Sequence, residues 1–238
     1  MLVTLEGIIV RTVKYSESSL ILDIFSADLG IQSYIISGVR SSKKAKSKAS
    51  MLQVLNLVRF VAYQKEGEKL SRIKEVAYSY VYRSIPFSVV KSSIAIFLVE
   101  VCRKSVRGSD SYEDIYNFMV KGLIHLDNTN SGLAHFHILF LIDLAGRLGF
   151  ELQDNYATET QLFNLVDGSF TELVPNFELA MDAESSYCLS RYLKKQEPYN
   201  WSKQMRQTIL QKLIDYYRYH VDDFGELKSY TVLSELYN

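Results

Sequence analysis

The sequence predicts an α+β protein, with a five-stranded β-barrel over residues 1–80 and a mainly α-helical domain over residues 81–238. Three observations carry this. The first eighty residues hold five short runs rich in Val, Ile, Tyr and Phe, separated by turn-forming segments. From Tyr82 the apolar residues recur at three- and four-residue steps. Residues 150–183 lose that spacing and carry an Asp-Gly turn between two short apolar runs. A length of 238 residues with 47% hydrophobic side chains is enough to bury a core in each part.

The predicted strands are Leu2–Val13, Ser19–Phe25, Gly30–Ser37, Val54–Tyr63 and Leu70–Tyr80. In the last of them Arg72 and Lys74 share one face and Ile73 the other, as a period of two requires. Five short strands must bury one face, and closure into a barrel does so while removing exposed edges. Strand alternation stops near Tyr80–Ser84, where Pro86 can open the next helix. Val90, Ile94, Phe97, Leu98 and Val101 then form one helical stripe. Ser109-Asp-Ser-Tyr112 can cap a second helix carrying Ile115, Phe118, Met119 and Leu123. Leu133, Phe136, Phe140, Leu144 and Leu148 mark a third, apolar on most sides and therefore expected at the centre of its domain. Further helices are predicted over Ser185–Lys195, Trp201–Val221 and Leu227–Leu236, with a small hairpin at Leu162–Phe170.

The 27 basic and 27 acidic side chains cancel, but they are segregated. Residues 1–80 carry 12 basic against 7 acidic groups, whereas residues 151–190 carry 8 acidic groups and no basic one. A basic N-terminal part points to a polyanionic partner. No apolar run reaches the ~18 residues of a membrane span. The opening Met1–Glu6 has no basic stretch or small-residue cleavage site. A soluble, cytoplasmic protein with no membrane partner is expected.

Catalytic constellations are hard to find. His135 and His137 stand two apart, which on a helix sends them to different faces, so packing or surface roles are expected rather than a metal site. Glu113-Asp114 and Asp222-Asp223 read as solvated helix-end charges. Cys102 follows apolar Val101 and reads as a buried structural thiol. No glycine-rich phosphate loop is present. No catalytic residue, metal or cofactor is predicted.

The chemistry that does stand out is Gly38-Val-Arg-Ser-Ser-Lys-Lys-Ala-Lys-Ser-Lys-Ala-Ser50. Arg40, Lys43, Lys44, Lys46 and Lys48 place five cations in nine residues of a loop, with hydroxyls between them. Such a loop can follow a phosphate backbone, although charge runs also serve simply as solvated surface. Arg11, Lys14, Arg72 and Lys74 in the same domain favour the nucleic-acid reading. Tyr15, Tyr34 and Tyr63 offer rings either for stacking on bases or for the barrel core.

Glu6-Gly-Ile-Ile-Val-Arg-Thr-Val-Lys-Tyr-Ser-Glu-Ser-Ser-Leu-Ile-Leu-Asp-Ile-Phe-Ser26, then Gly30 and Ile36-Ser-Gly-Val-Arg-Ser-Ser-Lys43, closely resembles the start of bacterial RecO proteins. The resemblance extends to Leu144-Ala-Gly-Arg-Leu-Gly-Phe150 and to Leu227-Lys-Ser-Tyr-Thr-Val-Leu-Ser-Glu-Leu236. It implies an OB-fold barrel followed by a helical domain, and a DNA repair and recombination mediator without enzymatic turnover. It further implies binding to single- and double-stranded DNA, annealing of complementary strands, and work with RecR in loading RecA onto strands covered by single-stranded DNA-binding protein. Many RecO proteins carry four zinc-binding cysteines after the Leu-Gly segment. Here residues 150–183 have none and Cys188 stands alone, so a zinc-free hairpin subdomain is expected. An alternative from another class is a non-enzymatic interaction adaptor in which the OB barrel is merely structural.

Overall fold

The computed structural model describes residues 1–39, 49–64, 70–106, 112–196 and 201–236. The N-terminal strands are β1 (Leu2–Lys14), β2 (Leu20–Ser26), β3 (Gly30–Ile36), β4 (Leu57–Tyr63) and β5 (Ser71–Tyr80). They close into a barrel in the order β1-β2-β3-β5-β4, with β3 and β5 parallel and the other pairs antiparallel. This is the five-stranded Greek-key barrel of the OB-fold. Closure requires β1 to serve two neighbours. Its first half pairs with β4 and its second with β2, the change falling at Ile8. Gly7 makes the bend possible, because a Cβ there would lie 2.3 Å from Ile24 Cγ2 and 2.9 Å from the Phe25 carbonyl.

Alternation then decides the interior. Ile9, Leu22, Ile24, Tyr34, Ile36, Val58, Phe60, Ala62 and Ile73 form one buried cluster. The predicted fourth strand began three residues too early. Val54 lies in a turn and Leu55 takes a left-handed φ of 86°, held by its N–H donating to the Ile9 carbonyl at 2.9 Å.

A 3₁₀ turn (Ile85–Phe87) follows, with Pro86 inside it, and then α1 (Val89–Ser105) and α2 (Tyr112–Asn128). The Ser109–Ser111 part of the expected cap lies outside the described residues. Tyr116 of α2 meets Phe25 edge-on at 5.7 Å between ring centres, and Phe25 is fully buried although it points out of the barrel. The change from strand to helix at Tyr80 therefore differs from the division into compact units, which are Met1–Asn130 and Ser131–Asn238.

The second unit holds α3 (Leu133–Arg147), β6 (Leu162–Asn164), β7 (Ser169–Thr171), α4 (Ala183–Leu193), α5 (Lys203–His220) and α6 (Lys228–Leu236). Side-chain oxygens of Asp182 and Ser202 cap α4 and α5, accepting the N–H groups of Ser185 and Met205. Tyr217 of α5 donates to the Leu141 carbonyl of α3 at 2.7 Å.

The cysteine-free segment is organised by aromatic rings. Phe163 and Phe170 pack edge-on at 5.1 Å, Tyr156 covers Phe170 at 5.1 Å, and Tyr216 covers Phe163 at 5.9 Å. Gly168 closes the hairpin at φ +63°, and a Cβ there would lie 2.5 Å from Tyr216 Oη. Gly168→Ala is therefore expected to destabilise the second unit by about 1–3 kcal/mol, from left-handed strain and displacement of a buried hydroxyl. Thermal melts of the two proteins measure it. Treatment with a strong chelator should leave the parent's melting curve unchanged, and a fall in midpoint would reveal structural metal in this segment.

Candidate nucleic-acid interface

One end of the barrel brings together two of the sequence-predicted cations, Arg72 and Lys74. Ser37, Tyr63, Arg72, Ile73 and Lys74 line an open groove there. Strand pairing explains the company. Tyr63 ends β4 opposite Arg72, and Arg72 is also the parallel partner of Ile35, two residues before Ser37. The β1–β2 turn closes on the same end. The Val39 N–H donates to the Ser18 carbonyl at 3.1 Å, and Ser19 Oγ lies 3.3 Å from Ser37 Oγ.

Arg40, Lys43, Lys44, Lys46 and Lys48 lie outside the described residues. What is described is the pair of anchors between which they run. Val39 and Leu52 are fully buried members of the barrel core, and Thr12 Oγ1 donates to the Leu52 carbonyl at 2.7 Å. Of these two anchors, Val39 follows Ser37 of the groove by two residues.

The remaining cations differ in their availability. Arg11 Nε donates to Asp23 Oδ2 at 2.5 Å, and Ser33 donates to Asp23 Oδ1 at 2.7 Å, forming a ladder across β1, β2 and β3. That hydrogen bond, with the attraction of the carboxylate, raises the guanidinium's pKa despite partial burial. Asp23 thus offsets much of Arg11's charge. Lys14 and Arg72 are exposed and form no ion pair with another described residue. Lys74 approaches Glu75 at 3.5 Å, an exposed pair of little strength. Among the tyrosines, Tyr34 takes the core alternative. It is 2% exposed and packs edge-on against Phe60 at 4.9 Å inside the barrel, so it offers no ring to a ligand. Tyr15 and Tyr63 are 62% and 48% exposed. The half-open aliphatic residues Val13, Ile21 and Ile35 were not singled out from sequence, because β2 and β3 are apolar on both faces.

Two further reactive side chains, Cys102 and His137, are buried. Cys102 is fully buried, which pushes its thiol well above its ordinary pKa. Burial, with the nearby His135 and Arg206, pulls His137 down to about 3. Among the described residues no three His, Cys, Asp or Glu side chains come together as a metal-binding group. No helix among them is long and apolar enough to cross a membrane.

Residues 1–82 match the family model "Recombination protein O N terminal", and residues 86–230 match "Recombination protein O C terminal". A DNA repair protein RecO from Christiangramia forsetii is 30% identical over 241 residues, covering the whole of both chains. That of Flavobacterium psychrophilum is 32% identical over 248 residues, again covering both completely. That of Phocaeicola vulgatus is 28% identical over 236 residues and 98% of each chain. With an OB barrel, a helical domain and matches running from end to end, the chain belongs to the RecO family of recombination proteins.

Proposed function

We propose that this chain is a DNA repair and homologous recombination mediator that turns over no substrate. It binds DNA through residues 1–80, while residues 81–238 form the helical domain. It anneals complementary strands and, with RecR, assists RecA loading where single-stranded DNA-binding protein covers the strand. Its place of action is the cytoplasm. The observation that carries the DNA-binding part is the groove at the barrel end, where Arg72 and Lys74 stand with Ser37, three residues before the five-cation run Arg40–Lys48 of the sequence. Annealing requires two polyanions to be brought together, and phosphate neutralisation without base-pair readout meets that need.

The test is annealing of complementary oligonucleotides by the full chain, bare and coated with single-stranded DNA-binding protein. Acceleration in both cases, suppressed by salt, is expected. A chain that neither anneals nor binds DNA would instead be an adaptor with a structural barrel.

A further inference from the structure

The strand pairings define a row of side chains around the outside of the barrel mouth. Tyr63 is the partner of Leu2 on β1 and of Arg72 on β5. Arg72 is the partner of Ile35, Ile35 of Ile21, and Ile21 of Val13. Directly paired residues share a face. Their neighbours along the strands (Ala62, Ile73, Ile36 and Leu22) are buried in the interior, so the row faces outward. The row is partly open. Leu2, Tyr63 and Val13 are 49%, 48% and 42% exposed, and Ile21 and Ile35 are half-buried. Phe25, outward-facing further along β2, is by contrast fully covered beneath Tyr116.

This is an apolar track with one aromatic ring, and with cations beside it. Arg72 lies in the row, Lys74 two residues on along the same strand, and Lys14 next to Val13. From Tyr63 to Val13 the row crosses four strand spacings, about 19 Å. That length suits the short end of the ~4–16 nucleotides that one OB-fold takes. Base faces are flat and apolar, and they stack on tyrosine rings and on guanidinium planes. In a duplex those faces are already stacked within the helix, so only an unpaired strand can present them.

We propose that the row Tyr63–Arg72–Ile35–Ile21–Val13 is a base-contacting track with Tyr63 as its stacking platform, so that this end of the barrel prefers unpaired strand to duplex. The proposal rests on the DNA-binding reading above and adds to it a specificity residue and a ligand form. Charge contacts alone would hold duplex and single strand with similar chemistry. The half-open apolar row is what separates them.

Three probes of equal length separate the possibilities: oligo-dT, an abasic oligonucleotide with the same phosphates, and a duplex. The full chain should bind oligo-dT more tightly than the abasic strand. Tyr63→Ala should weaken oligo-dT binding by about 5- to 100-fold, the range one stacked base contributes. It should leave abasic and duplex binding unchanged, and the salt slope with them, since no charge is lost. Tyr63→Phe should keep most of the affinity, and Tyr63→Trp should show fluorescence quenching with oligo-dT but not with the abasic strand. Equal parent affinity for oligo-dT and abasic strand overturns the track while leaving DNA binding intact. So does equal loss on all three probes in Tyr63→Ala. Unchanged oligo-dT binding by Tyr63→Ala also overturns it and reassigns the row to protein docking. Failure of the parent to bind any probe overturns the underlying DNA-binding reading as well.

Discussion

Asp127→Ala is expected to lower stability by about 3–5 kcal/mol, the loss that follows when a buried polar network is broken. Asp127 closes α2 and is 2% exposed. Its Oδ1 accepts the N–H groups of Ser84 and Ile85 at 2.8 and 2.9 Å, and Oδ2 accepts the Arg83 N–H at 2.9 Å and the Tyr80 hydroxyl at 3.1 Å. One carboxylate thus satisfies three consecutive backbone donors where the chain leaves the barrel and turns into the helices. Lys91 reinforces the clasp. Its ammonium, on a residue 3% exposed, donates to Ser84 Oγ at 2.7 Å, to the Asp127 carbonyl at 3.0 Å and to Asn130 Oδ1 at 3.3 Å. Asp127→Ala leaves the Arg83, Ser84 and Ile85 N–H groups and the Tyr80 hydroxyl without this acceptor, each costing about 1–3 kcal/mol when buried. At about 2–4 °C per kcal/mol for a chain of this size, the melting midpoint should fall by roughly 10 °C.

The same carboxylate sets a pH dependence. Burial by itself would raise its pKa above the ordinary 3.8, but the N–H groups of Arg83, Ile85 and Ser84 and the Tyr80 hydroxyl outweigh burial and lower it. A carboxylate with a depressed folded pKa contributes stability that is whole above its unfolded value and is lost as pH falls through the folded one. The contribution is therefore complete above about pH 4 and disappears below it. In acid titrations followed by circular dichroism, Asp127→Asn should already be weakened at neutral pH and should lose less on acidification than the parent. Parallel acid curves would show that another group controls the transition.

The barrel was legible because β4 and the start of β5 alternate: Val58, Phe60, Ala62 and Ile73 face in, while Arg59, Tyr63 and Arg72 face out. That parity also separates the tyrosines. Tyr63 follows inward Ala62 and is exposed, whereas Tyr34 shares its face with inward Ile36 and is buried. In β2 the run Leu20-Ile-Leu-Asp-Ile-Phe25 is apolar at five of six positions, so period two gives no sign of which face is inside. The Val13–Ile21–Ile35 row stayed hidden for that reason. The clasp was out of reach for a different one. Asp127 and its partners are 36 to 47 residues apart, and no local pattern joins a helix-end carboxylate to the N–H groups of a distant turn.

Replacing Lys43, Lys44, Lys46 and Lys48 together with Ala should weaken single-strand binding by roughly 10²–10³-fold near 0.1 M salt. Each phosphate contact on a single strand contributes about 0.7 to the slope of log affinity against log salt, so four lost contacts should flatten the slope by about 3. The weakening should be similar for unrelated sequences, because phosphates carry no base identity. Folding should barely change. The loop's anchors, Val39 and Leu52, are fully buried and untouched, and exposed substitutions usually move stability by less than about 0.5 kcal/mol each. The structure sharpens the comparison with the other cations. Arg11 is already paired with Asp23 and Lys74 faces Glu75, so Arg72 and Lys14 are the barrel positions best able to substitute for the loop. An unchanged slope in the four-lysine variant would make Gly38–Ser50 a solvated charge run. The phosphate path would then move to Lys14 and Arg72 or to the helical domain, and Lys14→Ala with Arg72→Ala would separate those two. A slope flattened by about 3 places the phosphates on the loop and leaves the outer row of the barrel free to take the bases.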